Sequence, residues 1–356
     1  MDFPVFKTRI DGVSRKFGLN DPEERKEYFG AKAGKEVEAL KKYLSQNKTF
    51  VAYLLGKKNS GKGTYSKMFM EVVDSEHVSH LSVGDIVRDV HKSLETEDGK
   101  TALLNFLGEN YRGYHSPEET IDLILGRSQS TLIPSELILA LIKFEISKRP
   151  RQAIFIDGFP RAFDQIGYTL FLKELIGYRD DPDFFVFIDV AESVIDERIK
   201  YRVICPNCNT PRNLRLLTTK NVGFDKERRE FYLMCDNSTC NKQRMIPKEG
   251  DELGISPIRG RLEVEEKIFK QLLNLKGVSK IYLRNSVPAD RAGEYVDDYE
   301  ITPGYYYDLD KDTDLVRTIE KPWTINDDNN VPSYSLLPAA VELALIKQTA
   351  EALNLS

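Results

Sequence analysis

The stretch FVAYLLGKKNSGKGTYSKMF, residues 50–69, runs from an apolar segment through a glycine-containing turn into a sequence typical of a helix. Within it, GKKNSGKGT (56–64) follows the spacing G-x-x-x-x-G-K, with a hydroxyl residue two positions after the lysine. Glycines in such a turn let backbone N–H groups point inward, and the following helix N-terminus adds partial positive charge. The stretch therefore predicts a strand, a phosphate-binding loop (P-loop) and a helix.

The P-loop side chains have distinct expected roles. Lys62 should reach the β- and γ-phosphates of a nucleotide, and Thr64 should approach a phosphate or its Mg²⁺. Asn59 stands where a further glycine is common, and asparagine tolerates a left-handed backbone. An ordinary glycine-rich turn between a strand and a helix is the alternative. The predicted donor-phosphate residues are Gly56, Asn59, Ser60, Gly61, Lys62, Gly63 and Thr64.

Composition limits the class of protein. A chain of 356 residues with 41% hydrophobic residues can bury a large core. The 51 basic and 56 acidic residues give no general attraction to nucleic acids or anionic membranes. No apolar run approaches the roughly 20 residues that span a bilayer, and MDFPVFKTRIDG (1–12) lacks the features of a secretory signal. We expect a cytoplasmic monomer with no membrane partner and no nucleic-acid partner.

Alternating apolar and helical segments predict the fold. Val37, Leu40 and Leu44 recur at helical spacing and indicate one amphipathic helix in a polar N-terminal extension. Helical patterns then separate short apolar runs at 50–55, 78–81, 153–156, 184–188 and 280–283. This alternation favours an α/β fold with a doubly wound parallel sheet and helices on both faces. Ligands in such folds bind beyond the carboxyl ends of the strands.

Two further segments at the ends of apolar runs each contain an arginine suited to binding phosphate. LSVGDIVRD (81–89) contains Arg88, and IFIDGFPRAFDQ (154–165) contains Arg161. Two guanidinium forks beside a P-loop could grip an acceptor phosphate, although each arginine alone is more often a surface ion-pair partner. Asp157 directly follows a strand and could hold a water molecule of the Mg²⁺ shell.

These segments resemble the motifs S-T-G-D-x-x-R and D-G-F-P-R-x-x-x-Q of nucleoside monophosphate kinases, adenylate kinase most of all. The resemblance extends from about Thr49 to Leu262. It implies ATP and Mg²⁺ as cofactors and a nucleoside monophosphate as acceptor, with Gln165 favouring adenine. Val83 replaces the usual threonine, and the segment after Arg88 is longer than usual. The implied acceptor-binding residues are Val83, Gly84, Asp85, Arg88, Ile133, Gly158, Arg161 and Gln165.

All four cysteines lie in one segment, as CPNC (205–208) and CDNSTC (235–240). Four thiolates at such spacing are typical of a closed tetrahedral zinc site with a structural role. Two disulfides are the weaker alternative in a reducing cytosol. The predicted zinc ligands are Cys205, Cys208, Cys235 and Cys240.

The cysteine segment resembles the lid of zinc-bearing adenylate kinases. Its flanks, DERIKYRVICPNC (196–208) and GISPIRGRLEVEEK (254–267), resemble the entry and the exit of that lid. The resemblance implies that Arg198, Arg202 and Arg261 move onto the donor phosphates when the lid closes. One further lid arginine is absent, and Lys248 or Arg244 is a candidate replacement. The catalytic residues expected on these grounds are Lys62, Arg88, Asp157, Arg161, Arg198, Arg202 and Arg261.

The sequence thus predicts an N-terminal extension (1–48) and a P-loop kinase core (49–356). We expect three inserts in the core: an acceptor-binding insert (88–135), a zinc lid (199–258) and a C-terminal insertion (284–335) containing a hairpin at 304–325. The predicted function is adenylate kinase activity, with a CMP, UMP or deoxynucleoside monophosphate kinase as the alternative. A different class is a non-catalytic protein whose zinc segment binds nucleic acid or a partner and which ATP switches between shapes.

Overall fold

The short apolar runs fold into the strands of one central sheet. The structure, a computed structural model, describes residues 3–12, 15–126, 133–310, 313 and 315–355. Residues 127–132 of the predicted acceptor-binding insert and residues 311, 312 and 314 of the predicted hairpin therefore lie outside the described residues. No described helix combines the length and the apolarity needed to cross a membrane.

The described residues contain twelve α-helices and fifteen strands. The helices are α1 (Pro22–Ser45), α2 (Lys62–Val72), α3 (Val83–Ser93), α4 (Glu97–Asn110), α5 (Pro117–Leu125), α6 (Ser135–Ser147), α7 (Phe163–Thr169), α8 (Leu172–Leu175), α9 (Glu192–Lys200), α10 (Arg259–Asn274), α11 (Ala292–Tyr295) and α12 (Pro338–Ala352). The strands are β1 (Val51–Gly56), β2 (Val78–Ser82), β3 (Ala153–Asp157), β4 (Asp183–Asp189), β5 (Arg202–Ile204), β6 (Pro211–Asn213), β7 (Asn221–Asp225), β8 (Glu230–Met234), β9 (Ile246–Pro247), β10 (Ser279–Arg284), β11 (Ser286–Pro288), β12 (Pro303–Leu309), β13 (Val316–Pro322), β14 (Thr324–Asn326) and β15 (Pro332–Ser335).

The central sheet has the strand order β10-β4-β1-β3-β2, and every neighbouring pair is parallel. Ala52 and Leu54 of β1 pack into one hydrophobic cluster, whereas Val51, Tyr53 and Leu55 pack into a second. Because successive side chains of a strand point to opposite faces, the sheet is buried on both sides. The predicted doubly wound parallel sheet is confirmed, and the carboxyl ends of its strands meet at one edge.

The helix predicted in the N-terminal extension is present as α1 and packs into the core. Val37, Leu40 and Leu44 are buried in the same cluster as the apolar residues of α12. Lys32 of α1 is also buried, and its Nζ lies 2.7 Å from Glu300 Oε1 and 2.7 Å from Asp297 Oδ2. The extension is therefore joined to α12 by hydrophobic packing and to the C-terminal insertion by a buried ion cluster.

The prediction for α10 was wrong at one position. In RLEVEEKIFKQLLNL (261–275) the spacing of Val264, Ile268, Leu272 and Leu275 predicts the core-facing side of a helix, but Val264 is 39% exposed. Leu262, Ile268, Phe269 and Leu272 form the buried face instead. The helix begins at Arg259, and its first turn buries Leu262, whereas Glu265 in the next turn contacts the P-loop backbone at Lys58.

The cysteine-bearing segment and the C-terminal hairpin are in direct contact. Strand β5 pairs with β6 and β9, and β7 pairs with β8, in two small antiparallel sheets. The hairpin β12–β13 contacts the segment between β6 and β7, where Tyr305 N donates to Arg215 O at 2.7 Å. The Tyr307 hydroxyl donates to Leu214 O at 2.7 Å and lies 2.9 Å from Thr218 Oγ1. The predicted hairpin is confirmed in β12 and β13, whereas β14 belongs to a separate three-stranded sheet of order β11-β15-β14 that the sequence did not predict.

Helix α12 carries a carboxyl group in the interior of the protein. Glu342 is fully buried, and neither of its carboxyl oxygens has a hydrogen-bond partner among the described residues. Burial, assisted by the charge of Glu71, raises the pKa of Glu342 well above its ordinary value. Burial therefore favours the neutral, protonated form of this side chain in the folded protein.

We expect Glu342→Gln to remove a pH dependence of stability. In the wild type the carboxyl binds a proton when folded and releases it on unfolding above its ordinary pKa near 4.5. The folded state binds more protons, so the free energy of unfolding should fall as pH rises above 4.5 toward the raised pKa of the folded state, by at most about 1.4 kcal/mol per pH unit. Urea unfolding at several pH values should show this slope in the wild type and a shallower one in the variant. Parallel slopes would contradict a neutral Glu342.

Candidate active site

The loop between β1 and α2 has the geometry of a P-loop. A Cβ atom at Gly56 would lie 2.8 Å from Ile188 O, so only glycine fits this close approach. Asn59 has φ +66°, in the left-handed region that the sequence indicated, and Gly61 has φ +100°. The Lys62 Nζ donates to Gly56 O at 2.8 Å and to Lys57 O at 3.1 Å, and so folds back over the loop. Thr64 lies exposed in the first turn of α2.

Three polar atoms around this loop are buried without a hydrogen-bond partner among the described residues: Ser60 Oγ, His80 Nε2 and Asp157 Oδ1. Asp157 Oδ1 is 3.9 Å from Lys62 Nζ, and Asp157 Oδ2 is 4.0 Å from His80 Nε2. Burial lowers the pKa values of both Lys62 and His80, against the opposing charge of Asp157. Buried polar groups normally have partners, so this arrangement fits a site that phosphate, hydrated Mg²⁺ or water completes.

Arg88 and Arg161, the two arginines predicted to bind the acceptor phosphate, lie close to the same glycine. From the Cβ position of Gly84, Arg88 Nη1 is 3.6 Å away and Arg161 Nη2 is 3.9 Å away. Arg88 is largely exposed and ion-paired with Asp85. Gly158 has φ +85°, and a Cβ atom there would lie 2.4 Å from Arg161 Nη2, so glycine allows the guanidinium to fold over the backbone.

Gln165, the residue predicted to contact the acceptor base, forms hydrogen bonds through both its amide oxygen and its amide nitrogen. Gln165 is 6% exposed, its Oε1 accepts from Arg161 N at 2.7 Å, and its Nε2 donates to Ser135 Oγ at 3.1 Å. Val83 is buried in the cluster that flanks this region, and Ile133 packs against the same cluster. Val83 and Ile133 therefore belong to one apolar cluster, and Gln165 is linked to the start of α6 through Ser135.

The three lid-flanking arginines have different environments. Arg198 donates to Asn285 Oδ1 at 3.2 Å and to the P-loop carbonyl of Asn59 at 3.5 Å, and burial lowers its pKa. Arg202 forms a two-bond ion pair with Asp251, at 2.6 and 2.7 Å. Arg261 lines one cavity together with Lys62 and Arg161. Of these three arginines, Arg261 alone lines this cavity with Lys62. Arg202 is bound to Asp251 instead.

The candidate replacements for the absent lid arginine are also separated. Arg244 pairs with Asp225 at 2.7 Å and with Glu230 at 2.8 Å, both on the β7–β8 hairpin of the lid. The charge of Lys248 contributes to lowering the pKa of Lys58 in the P-loop, after burial and the charge of Arg261. Arg244 is engaged within the hairpin, and Lys248 stays the candidate replacement.

The four cysteines form one cluster in the lid. Their Sγ atoms all lie within 4.8 Å of one another, and three of the four residues are buried. Hydrogen bonding to Thr210 lowers the pKa of Cys208 to about 6, whereas burial raises the pKa of Cys240 to about 12. Four converging sulfur atoms match the donor set of a closed tetrahedral zinc site, and such a set leaves no position for a substrate.

Sequence reasoning missed several residues of the site. His80 faces Asp157, and Ser135 supports Gln165. Glu265 bonds both the P-loop backbone at Lys58 and the side chain of Arg261. The only sequence signal for Glu265 was its spacing of four residues from Arg261 on a predicted helix.

A P-loop beside two converging arginines, with a cysteine-bearing lid inserted in the same sheet edge, defines a phosphotransferase of the nucleoside monophosphate kinase class. The chain is 32% identical over 206 residues to adenylate kinase of Thermotoga petrophila, covering 57% of this chain and 76% of the relative. It is 30% identical over 234 residues to adenylate kinase of Clostridium acetobutylicum, covering 65% and 86%. Adenylate kinase of Hydrogenobaculum sp. is 27% identical over 247 residues, covering 69% and 96%. No family model matches the chain. The chain belongs to the adenylate kinase family.

Proposed function

We propose that this protein transfers the γ-phosphoryl group of MgATP to AMP and so forms two molecules of ADP. The observation that carries the proposal is the convergence of Arg88 and Arg161 on Gly84, with Arg161 lining the same cavity as Lys62. A P-loop lysine suits the donor phosphates, and two guanidinium groups suit an acceptor phosphate. In this division Lys62 acts on the donor, Arg88 acts on the acceptor, and Arg161 lies between them.

The proposed mechanism relies on positioning and positive charge. Phosphoryl transfer has a loose transition state with spread negative charge, so cations and alignment supply most of the catalysis without a dedicated base. When bound, Mg²⁺ would neutralise charge on the β- and γ-phosphates. The Oδ1 of Asp157, which lacks a hydrogen-bond partner among the described residues, would accept a hydrogen bond from a water molecule of the Mg²⁺ shell. Arg198, Arg202 and Arg261 would add charge as the lid closes and excludes water.

AMP is the acceptor that Gln165 favours. Its two contacts leave one amide N–H and one lone pair on the amide oxygen for a base edge. A pyrimidine or deoxynucleoside monophosphate is the second candidate, because Val83 places a buried apolar group where the family motif has a hydroxyl.

Diphosphate formation by the purified protein tests the proposal. With MgATP and, in separate reactions, AMP, dAMP, CMP, UMP and GMP, we expect the highest kcat/KM with AMP. A preference for CMP, UMP or dAMP would support the second candidate. Binding of MgATP without transfer to any acceptor would overturn both and support the non-catalytic protein whose shape ATP switches.

We further propose that the four cysteines bind a structural zinc ion. Because metal binding supplies much of the folding energy of small zinc modules, the variant Cys205→Ser, Cys235→Ser should lose its zinc and melt earlier. A chelator should have the same effect on the wild type. Metal analysis and thermal melting check this, and unchanged zinc content in the variant would contradict the assignment.

The domain division proposed from the sequence is compatible with these roles. The zinc lid (199–258) carries the cysteine cluster, and the acceptor-binding insert (88–135) begins at Arg88. The C-terminal insertion (284–335) reaches the P-loop through Asp328, which pairs with Lys57 and accepts from Glu192 N at 2.8 Å. We propose that this insertion supports the donor side of the core.

A further inference from the structure

Glu265 joins the P-loop to the first turns of α10. Its Oε2 accepts from Lys58 N at 2.8 Å, and its Oε1 accepts from Arg261 Nε at 2.7 Å. The Glu265 side chain is 15% exposed, whereas that of Arg261 is 42% exposed. The Glu265 carboxylate is therefore fixed by two hydrogen bonds, and the Arg261 guanidinium that it binds also lines the cavity next to Lys62.

The neighbouring ion pair on the same helix behaves differently. Glu266 pairs with Lys270 at 2.7 Å with the same spacing of four residues, but the two side chains are 40% and 57% exposed. Exposed pairs of this kind contribute little to stability. Glu265 differs because its second oxygen binds the backbone of the P-loop, which is 207 residues away in the sequence.

The contact leaves the phosphate-binding part of Arg261 available. A guanidinium has one Nε–H and four Nη–H donors in a rigid plane, and Glu265 engages only Nε. Within the described part of the chain, neither Nη group of Arg261 has a hydrogen-bond or ion-pair partner. Arg261 lines the cavity that also contains Lys62, Gly56 and Arg161. The Nε contact thus fixes the plane of the guanidinium and leaves its outer edge toward the donor side of the site.

We propose that Glu265 is a positioning residue for phosphoryl transfer: it presets Arg261 against the P-loop so that the two Nη groups can bind the donor phosphates. This inference rests on the proposed function of the site. A fixed arginine loses less conformational entropy when it binds a phosphate, and its alignment is set before the reaction. The negative charge of Glu265 lies among the cations of Lys58, Lys62 and Arg261, which offset its repulsion of phosphate.

The test compares Glu265→Ala with Glu266→Ala, the matched control on the same helix. Displacement of Arg261 should lower kcat about 10- to 100-fold in Glu265→Ala and weaken MgATP binding, measured by calorimetry, several-fold. Glu265→Gln should recover part of the loss, because its single amide oxygen can replace only one of the two contacts. Glu266→Ala should match the wild type, and all variants should melt close to it.

A double-mutant cycle separates positioning from a direct role. If Glu265 acts through Arg261, Glu265→Ala should have almost no further effect on kcat or MgATP binding in an Arg261→Ala background. An equal loss in both backgrounds, or tighter MgATP binding by Glu265→Ala, would overturn the inference. If the wild type binds MgATP without transferring phosphate, the proposed function fails, and the binding measurements still decide whether Glu265 positions Arg261.

Discussion

A Lys62→Met variant should lose phosphoryl transfer by a factor of about a thousand or more while remaining folded. The Lys62 Nζ is the P-loop cation nearest to Asp157, at 3.9 Å from its Oδ1, and shares a cavity with Arg161 and Arg261. Methionine fills most of the volume of the lysine side chain but removes the positive charge that would stabilise the transferred phosphoryl group. The initial rate of ADP formation from MgATP and AMP at saturating concentrations measures the effect.

The matched control is Lys67→Met, which makes the same substitution at an exposed position of the same helix. This control should keep wild-type kcat. The Lys62 variant gives up hydrogen bonds to two backbone carbonyls but also relieves a buried charge, so its melting temperature should change by only a few degrees. Retention of a tenth or more of the wild-type rate by Lys62→Met would contradict a catalytic role for the lysine. Loss of the fold would leave Glu265→Ala as the cleaner measurement of the same site.

The parts of the fold that the sequence predicted are those fixed by local physics. A strand buried on both faces needs a run of apolar residues, and Val51 to Leu55 provides one. A tight phosphate-binding turn needs backbone conformations that few residues tolerate, and Asn59 and Gly61 adopt them. Because strand ends of a parallel sheet share one edge, the position of Asp157 followed from the strand before it.

The parts that the sequence did not predict depend on contacts between distant segments. Glu265 reaches the P-loop only because α10 begins where it does relative to β1, and residue spacing within α10 carries no information about that. The sheet β11-β15-β14 pairs short strands that lack a continuous apolar pattern, so no local signal marks it. The role of residues 1–48 was not predicted for the same reason.

The N-terminal extension should be essential for stability, and Lys32→Met tests this directly. Lys32 and Glu300 have no exposed side-chain surface, and the 2.7 Å contact between them joins α1 to the C-terminal insertion. Tyr28 and Thr8 also donate to Glu300, each at 2.6 Å. Methionine would leave the carboxylate of Glu300 buried without its cation. Breaking one side of a buried ion pair costs about 3–5 kcal/mol, so the urea midpoint should fall markedly.

Two further variants make this prediction specific to the buried charges. Lys26→Met removes an exposed pair with Glu23 on the same helix and should leave the free energy of unfolding almost unchanged. Lys32→Met with Glu300→Gln should recover much of the loss, because the amide carries no charge and can still bond to Tyr28 and Thr8. If Lys32→Met unfolds like Lys26→Met, the ion cluster does not hold the extension to the core. If the double variant is no more stable than Lys32→Met, the loss comes from packing, because the unpaired charge has then been removed without benefit.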